Sequence, residues 1–561
     1  MTYSLRLLLL LAATGLPGLA ALADYRAIDG TGNNLSNPTW GSAGAELLRT
    51  APAAYPGDGT GSTMLGDADR GNPRTISNTL FAQSTPVASA RGLSSGVWQW
   101  GQFLDHDITF TGTNSAESMM LYVPPADPYG MAMIPFTRSA SHADGLGVRQ
   151  QTNEITSWID ASMVYGSDAT RATALRELSG GRMRTSGGGL QLPTNDMPGL
   201  GSLENDPGPL GTTDLFVAGD VRANEQTGLT SMHTLFVREH NRLAGQLAAA
   251  NAGDASWDDE RIYQTARRIV GAEVQAITYN EFLPALLGGL APAANDYAYN
   301  SSIDATIATE FSTAFFRLGH SMLNEDLVLA DDHGATVGSI SLRDSFFNPQ
   351  LIMDDPQTVD NALMGLMKQT ANELDTKLID GVRNFLFAPT GGMGTDLAAL
   401  NIQRGRDHGL PDYNTLRGAF GLSPVASFGE ITADAALAAQ LESVYGGVDN
   451  IDPWVGALAE DHLYGASVGE LLCAALVDQF SRLRDGDRYF YAGDDYLWSN
   501  DVASMIDFDT LTMTDVLAWN TAMAYEDMPP SFFMLLAVPE PTTIVMVGAA
   551  LVGVARRRQR V

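Results

Sequence analysis

The chain has 561 residues, 45% of them hydrophobic and 17% charged, with 65 acidic against 33 basic side chains and a net charge of −32. That length admits one to four domains, and the apolar fraction is that of a globular protein. No basic stripe is present to neutralise phosphates, so nucleic acid is not expected as a partner, and the acidity speaks for solubility rather than for a fold.

Residues 1–23 read as a secretory signal. Arg6 supplies the positive start, Leu7 to Ala13 the apolar stretch, and Ala21-Leu22-Ala23 the small-residue cleavage site before Asp24. Export usually brings disulfides, but Cys473 is the only cysteine, so none forms within the chain. Its apolar surroundings, Val468 to Phe480, suit an inert buried thiol. The fold must then hold by packing, by metal or by a bound cofactor. From Asp24 to Pro86 the chain is rich in Gly, Pro, Asn and Asp, and an irregular arm wrapped on a larger body is expected.

The stretch Trp98 to Phe110 sets Gln102, Asp105, His106 and Asp107 among aromatic and aliphatic residues, a costly arrangement in a core unless something satisfies them. On a helix Gln102, Asp105 and His106 share one face, whereas Asp107 turns about 100° away, so one segment can serve two sites. Alone, the triplet is equally a hydrogen-bonded Asp-His pair. In Thr156 to Ser162, oxygen-bearing groups fall at alternate positions, which suits a loop around a hard cation or a half-buried strand.

Residues 180–212 hold many Gly and Pro and are expected as a surface loop. Arg222 and Glu225 lie one turn apart if their stretch is helical. Leu229, Met232, Phe236, Val237, His240, Leu243 and Leu247 recur at three and four, which predicts a helix of about 20 residues. Further helices are predicted over Arg261 to Leu287, Asp304 to Leu323, Val359 to Phe387, Ala433 to Val444 and Val468 to Arg484. Strand patterns are scarce and no internal repeat is present. One large, mainly α domain over 24–535 fits best.

Beyond it, Val538-Pro539-Glu540-Pro541 precedes an apolar run, Thr542 to Ala555, closed by Arg556, Arg557, Arg558 and Arg560. The run is shorter than the roughly 20 residues of a full membrane span. Arginines there would stay cytoplasmic.

Trp98 to Asp107 contains WGQFLDHD, which resembles the distal-histidine helix of the animal-type haem peroxidases, the family of myeloperoxidase, lactoperoxidase and peroxidasin. Similar matches recur along most of the chain. Tyr25 to Leu35 and Asn37 to Gly41 look like the opening of bacterial and peroxidasin-type members, with Gly32 where the animal proteins have a cysteine. Phe315 to Met322 resembles the family's proximal helix, Leu400 to Pro411 its LNxQRxRDHGLP segment, and TSWIDASMVYGS from Thr156 its calcium loop.

The resemblance implies a single mainly α haem peroxidase domain containing haem b and calcium. It makes His320 the axial ligand of the haem iron, Arg317 and Arg404 partners of the propionates, and Asn401 the acceptor for the other ring nitrogen of His320. Asp407 and His408 remain structural. His106, Arg222 and Gln102 become the catalytic set: base, fixed positive charge, and holder of water or halide. Asp105 and Glu225 become carboxylates able to esterify the haem. Gln226 stands where myeloperoxidase has the methionine of its sulfonium link, so that bond is not expected, and the site is closer to lactoperoxidase and peroxidasin. Asp107, Thr156, the backbone carbonyl of Trp158, Asp160 and Ser162 are carried over as calcium ligands.

The activity so implied is oxidation of halides, thiocyanate or small phenols by hydrogen peroxide through an oxidised haem. His106 would move the peroxide proton, a role worth roughly 10²–10⁴-fold, and Arg222 would polarise the O–O bond. Two alternatives stand beside it. One is a fatty-acid dioxygenase of the same fold, although those relatives carry a radical-forming tyrosine three residues before the proximal histidine, where this chain has Arg317. The other is a non-catalytic surface or matrix adhesion protein. The C-terminal segment resembles the PEP-CTERM sorting signal of bacterial exported proteins, recognised and removed by an exosortase, with a plain membrane anchor as the competing reading. Either puts the body of the protein outside the cytoplasmic membrane, extracellular or at the cell surface or periplasm.

Overall fold

Helix α1 (Ser95–Ile108) forms because Val97, Trp100, Leu104 and Ile108 repeat at three and four, and all four are buried. Ser94 caps it: its hydroxyl accepts from the Gly96 N–H at 3.1 Å and donates to the Phe532 carbonyl. In the computed structural model, which describes residues 25–57, 59–62, 70–127, 133–209, 211–388, 394–499, 502 and 505–535, this helix runs through the centre of one large hydrophobic core. The signal segment 1–23 and the sorting tail 536–561 lie outside the described residues.

Trp100 and Phe103 meet Phe236 with ring centres 5.9 and 5.2 Å apart, and each such buried aromatic contributes roughly 1.5–3 kcal/mol. Phe236 belongs to α2 (Thr227–Ala250), and α3 (Asp259–Ile277) packs along it before passing through a π turn, Thr278–Phe282, into a short helix, Leu283–Leu287. The Trp100 indole donates to Thr278 at 3.2 Å, which ties α1 to that turn. Further helices include α4 (Gln357–Lys368), α5 (Leu397–Asp407), α6 (Ala435–Tyr445) and α7 (Glu470–Asp485).

Among the described residues, strands form only two-stranded antiparallel ribbons: β1 (Thr113–Tyr122) with β2 (Met133–Ser139), β3 (His142–Ala143) with β4 (Arg149–Gln150), and β5 (Asp326–Ala330) with β6 (Thr336–Ser341). In the first ribbon Leu121 pairs with Ile134, and these two pack with Phe136 on Ala399 of α5. The architecture is mainly α, as expected. Residues 25–57 do wrap the body: Arg26 and Asn33 bond Asp487 at 2.8 Å, and Leu48 pairs with Ala308.

Three local expectations need correction. The helix predicted over Asp304 to Leu323 is a short α segment, Thr309–Thr313, broken at Ala314 (φ −130°, ψ −63°) and followed by a 3₁₀ helix, Phe315–Met322. The one predicted over Val359 to Phe387 stops at Lys368, because the chain beyond pairs as an extended edge with residues 88–94 through Thr370 and Asn372. Arg222 to Glu225 is a hydrogen-bonded turn rather than a helix, with Glu225 N–H donating to the Arg222 carbonyl at 2.9 Å.

Candidate active site

A cavity of 820 Å³ opens beside α1, lined by Trp98, Gln102, Asp105 and His106 at the spacing of one helix face. His106 is 3% exposed. Its Nδ1 lies 3.4 Å from Asp220 Oδ1 without forming a hydrogen bond, and its Nε2 lies 3.8 Å from Glu225 Oε2. Burial, then the positive charge of Arg222, hold the imidazole well below its ordinary pKa, so the ring is neutral. The carboxylate beside Nδ1 favours the ring proton on that nitrogen and leaves Nε2 as the basic atom.

Arg222 is anchored from several sides. Asp220 accepts from its backbone N–H at 2.8 Å, its Nε at 2.9 Å and its Nη2 at 2.8 Å, and Nη2 also reaches the Thr109 carbonyl at 3.0 Å. Its guanidinium lies over the Phe110 ring at 4.7 Å, and Nη1 is 3.6 Å from Asp105. Burial opposes the charge on Asp220, but Arg222, by its charge and its hydrogen bonds, prevails and holds the carboxyl well below the usual range. Asp220 escaped the sequence reading. Its only signal was its place two residues before Arg222, inside a turn without periodicity.

Asp105 and Glu225 both face the cavity, with 29% and 26% of their side chains open to it. Burial outweighs the neighbouring Arg222 and raises their carboxyls to about 6 and about 7. Gln102 lines the same wall, half-buried, its amide oxygen engaged by Gln226.

The 3₁₀ segment explains how His320 is held. At three residues per turn, side chains three apart eclipse, so Arg317 and His320 stand on one edge. Both contact Asn401 of α5: Arg317 Nη1 donates to Oδ1 at 2.9 Å, and Nδ2 lies 2.7 Å from His320 Nδ1. Asn401 therefore turns its amide nitrogen, not its oxygen, toward the ring, because the guanidinium takes the oxygen. Gly319 faces Trp98 of α1, and a Cβ there would meet that of Trp98 at 3.6 Å, an ordinary van der Waals contact. Burial, then Arg317, push the His320 ring down to about 3, and burial, then Arg404, push Arg317 down to about 10. Arg404 completes this wall, lying over Phe136 at 4.4 Å and donating to Ser139 at 2.9 Å and Asp407 at 3.1 Å. Asp407 and His408 also bond β2 through Ser139, in keeping with structural roles.

On its other face α1 presents Asp107, which is completely buried. Its Oδ2 accepts from the Asp160 and Ala161 N–H groups at 3.1 and 3.2 Å, and its backbone carbonyl accepts from the Ser162 hydroxyl at 2.7 Å. Thr156 donates to Asp160 Oδ1 at 3.1 Å, whereas Asp160 Oδ2 is buried with no hydrogen-bond partner. Burial, then Asp160, raise the Asp107 carboxyl well above its ordinary value; burial also raises Asp160. Ala161 adopts a left-handed conformation (φ 61°) to close this loop. Trp158 is fixed by Gly30 and Gly41, where a Cβ would come within 2.8 and 2.7 Å of its ring. Among the described residues no three His, Cys, Asp or Glu side chains gather as a metal cluster, so this loop's donors are two carboxylates, hydroxyls and backbone oxygens.

Comparison with known proteins places these walls in a family. The animal haem peroxidase model matches residues 25–533, and the PEP-CTERM protein-sorting motif, which marks export to the cell envelope, matches residues 537–559. Mouse myeloperoxidase is 37% identical over 83% of this chain and 71% of its own length. The solved structure of peroxidase A from Dictyostelium discoideum superposes with a TM-score of 0.81 at 31% identity, covering 91% of this chain and 99% of that one. An Arabidopsis thaliana fatty acid α-dioxygenase shares the fold, with a TM-score of 0.72 at 22% identity over 92% of this chain and 84% of that one. The chain thus belongs to the animal haem peroxidase family and is a haem-dependent peroxidase whose oxidant is hydrogen peroxide.

Proposed function

We propose that the protein is an exported peroxidase that oxidises small donors, namely halides, thiocyanate or phenols, in the cavity bordered by His106 and His320. The observation that carries this reading is a pair of neutral histidines on one cavity, one beside a buried Asp220–Arg222 pair and the other bonded to Asn401.

The residues suit haem. The cavity has apolar walls, a neutral imidazole at His320, and two arginines beside it, Arg317 and Arg404, for acidic side groups. His320 would hold the iron through Nε2, Arg317 and Arg404 would hold the propionates, and Asp105 and Glu225 are the carboxylates assigned to ester links. With Nε2 so engaged, the ring proton would sit on Nδ1 and Asn401 would present Oδ1 to it, the reverse of its orientation here, where Oδ1 accepts from Arg317. Haem bound there supplies the iron at which peroxide is reduced and the oxidising power that the donor consumes.

The chain's own residues supply the proton chemistry. His106 Nε2 takes the proton of the bound peroxide and returns it to the departing oxygen. Arg222, already fixed by Asp220, offers positive charge without reorganising when the O–O bond polarises. Gln102 holds water or the donor anion next to His106. Asp107, Thr156, the Trp158 carbonyl, Asp160 and Ser162 would hold calcium, a reading supported by the unpartnered Asp160 Oδ2 and the two buried carboxyls. That ion would brace the end of α1 that carries His106.

The test follows the Soret band of the purified protein on mixing with hydrogen peroxide. A rapid shift is expected in the parent, and His106→Ala should retain haem while slowing the shift at least about 100-fold. A variant that reacts at the parent's rate would overturn the role of His106, and a parent whose spectrum never changes would overturn the activity. The dioxygenase alternative rests on fold likeness alone, since the position three before His320 is Arg317, bonded to Asn401.

A further inference from the structure

Three glutamines beside the cavity form a hydrogen-bond chain whose polarity is fixed at one end. A backbone N–H can only donate, so the Gly228 N–H at 2.6 Å makes Gln226 Oε1 the acceptor that caps α2. Gln226 Nε2 must then point the other way. Its two hydrogens go to Gln99 Oε1 at 2.6 Å and Gln102 Oε1 at 3.0 Å. The same Gln102 oxygen faces Gln99 Nε2 at 3.5 Å. The amide of Gln102 is thereby oriented: its oxygen is turned into the chain, and what it has left to offer the cavity it lines with His106 is its pair of N–H donors. Gly228 is part of this device, because a Cβ there would stand 2.4 Å from Gln99 Oε1 and 3.1 Å from Gln226 Oε1.

We propose that Gln226 is a positioning residue that sets the anion preference of the site by holding Gln102 with its donor end toward the cavity. This rests on the peroxidase reading above. With the amide held this way an anionic donor such as thiocyanate meets N–H groups; with the amide turned over it would meet a carbonyl oxygen and be repelled. No contact between Gln226 and the donor is needed, since the orientation passes through one hydrogen bond.

Two variants test it in the haem-loaded protein. Gln226→Ser keeps an oxygen to cap α2 but is too short to reach Gln102, and Gly228→Ala displaces Gln99 and Gln226 from outside. Thiocyanate binding is read from the Soret shift of the resting protein, beside carbon monoxide binding to the reduced protein, a neutral ligand that reports pocket shape. Losing an oriented hydrogen bond to a charge should raise the thiocyanate dissociation constant about tenfold in both variants. Carbon monoxide affinity should stay within about twofold, a difference too small to signal a lost polar contact. Equal weakening of both ligands would overturn the proposal by showing a packing role, and so would thiocyanate affinity unchanged in both variants. A parent without a Soret band would overturn the haem reading and this proposal together.

Discussion

Asp220→Asn keeps the shape of the side chain and removes its charge, which makes it a sharp perturbation of the distal site. In the parent the carboxylate accepts three N–H groups of Arg222 at 2.8–2.9 Å and lies 3.4 Å from His106 Nδ1. Asparagine offers one oxygen, so at least one of those donors loses its acceptor and an amide N–H faces the guanidinium or the imidazole. Removing one partner of a buried ion pair outright costs about 3–5 kcal/mol. Arg222 still reaches Thr109 and Asp105, and the amide keeps one acceptor, so about 2 kcal/mol is expected. Felt in the reacting state, that slows the peroxide reaction about 30-fold at 1.4 kcal/mol per decade. The loss of the nearby carboxylate also removes what favours the proton on Nδ1, so the effect on His106 has the same sign. Stopped-flow recording of the Soret shift, with urea denaturation as the stability control, measures both parts. A variant that reacts within twofold of the parent would refute the idea that Asp220 organises the pair.

Three further outcomes are expected. Burial, partly offset by the Met513 N–H, raises the Glu281 carboxyl to about 7. With the folded value above the unfolded one, its contribution is full below about pH 4.5 and lost as pH rises through 7, so Glu281→Gln should gain about 1–3 kcal/mol over the parent between pH 5 and pH 8 by urea denaturation; an equal difference at both pH values would contradict this. Removing calcium with a chelator should lower the parent's melting temperature by about 2–3 °C, from roughly 2.7 kcal/mol of linkage spread over a chain of this size, and Asp160→Asn should abolish that response; an unresponsive parent would end the calcium assignment. Asn401→Ala should weaken haem retention about tenfold or more in a transfer assay to apomyoglobin, and unchanged retention would separate Asn401 from the ligand.

What could be read from the residues divides along physical lines. Helices α2, α3 and α7 were legible because each lays a continuous apolar stripe against the core, and burial of that stripe decides the conformation. The 3₁₀ segment was not, because Phe315, Phe316, Leu318 and Met322 are apolar at positions that an α-helix also tolerates; only the break at Ala314 distinguishes the two. The pairing of residues 88–94 with Thr370 and Asn372 spans about half of the domain and leaves no local period. At the site, His106, Arg222, His320, Asn401 and Arg404 were found through their motifs, and all five border one cavity. Asp220 carried no such signal, since a carboxylate two residues before an arginine is informative only once the turn brings it back onto the guanidinium. The glutamine chain was hidden for the same reason: Gln102 and Gln226 meet across 124 residues.

The two histidines are positioned by different kinds of helix, and the difference follows from what each must hold. On α1 the 3.6-residue repeat separates neighbours by about 100°, so His106 faces the cavity while Asp107, one residue on, enters the loop of Asp160 and Ser162. The two functions cannot slide relative to each other, because a one-residue shift of α1 would bury Asp107 in the cavity wall and withdraw His106 from it. On the 3₁₀ segment the three-residue repeat does the opposite and stacks Arg317 over His320, so that one side chain, Asn401, contacts both. An α-helix through the same residues would turn that pair apart by about 60°, whereas here they eclipse. The 3₁₀ geometry, unfavourable over eight residues, is therefore held by tertiary contacts such as the Trp454 indole on the Arg317 carbonyl at 3.4 Å. Substituting Trp454 by leucine should let that segment relax and loosen His320 without touching any residue of the cavity, a change that resonance Raman of the iron–histidine stretch would register before stability falls.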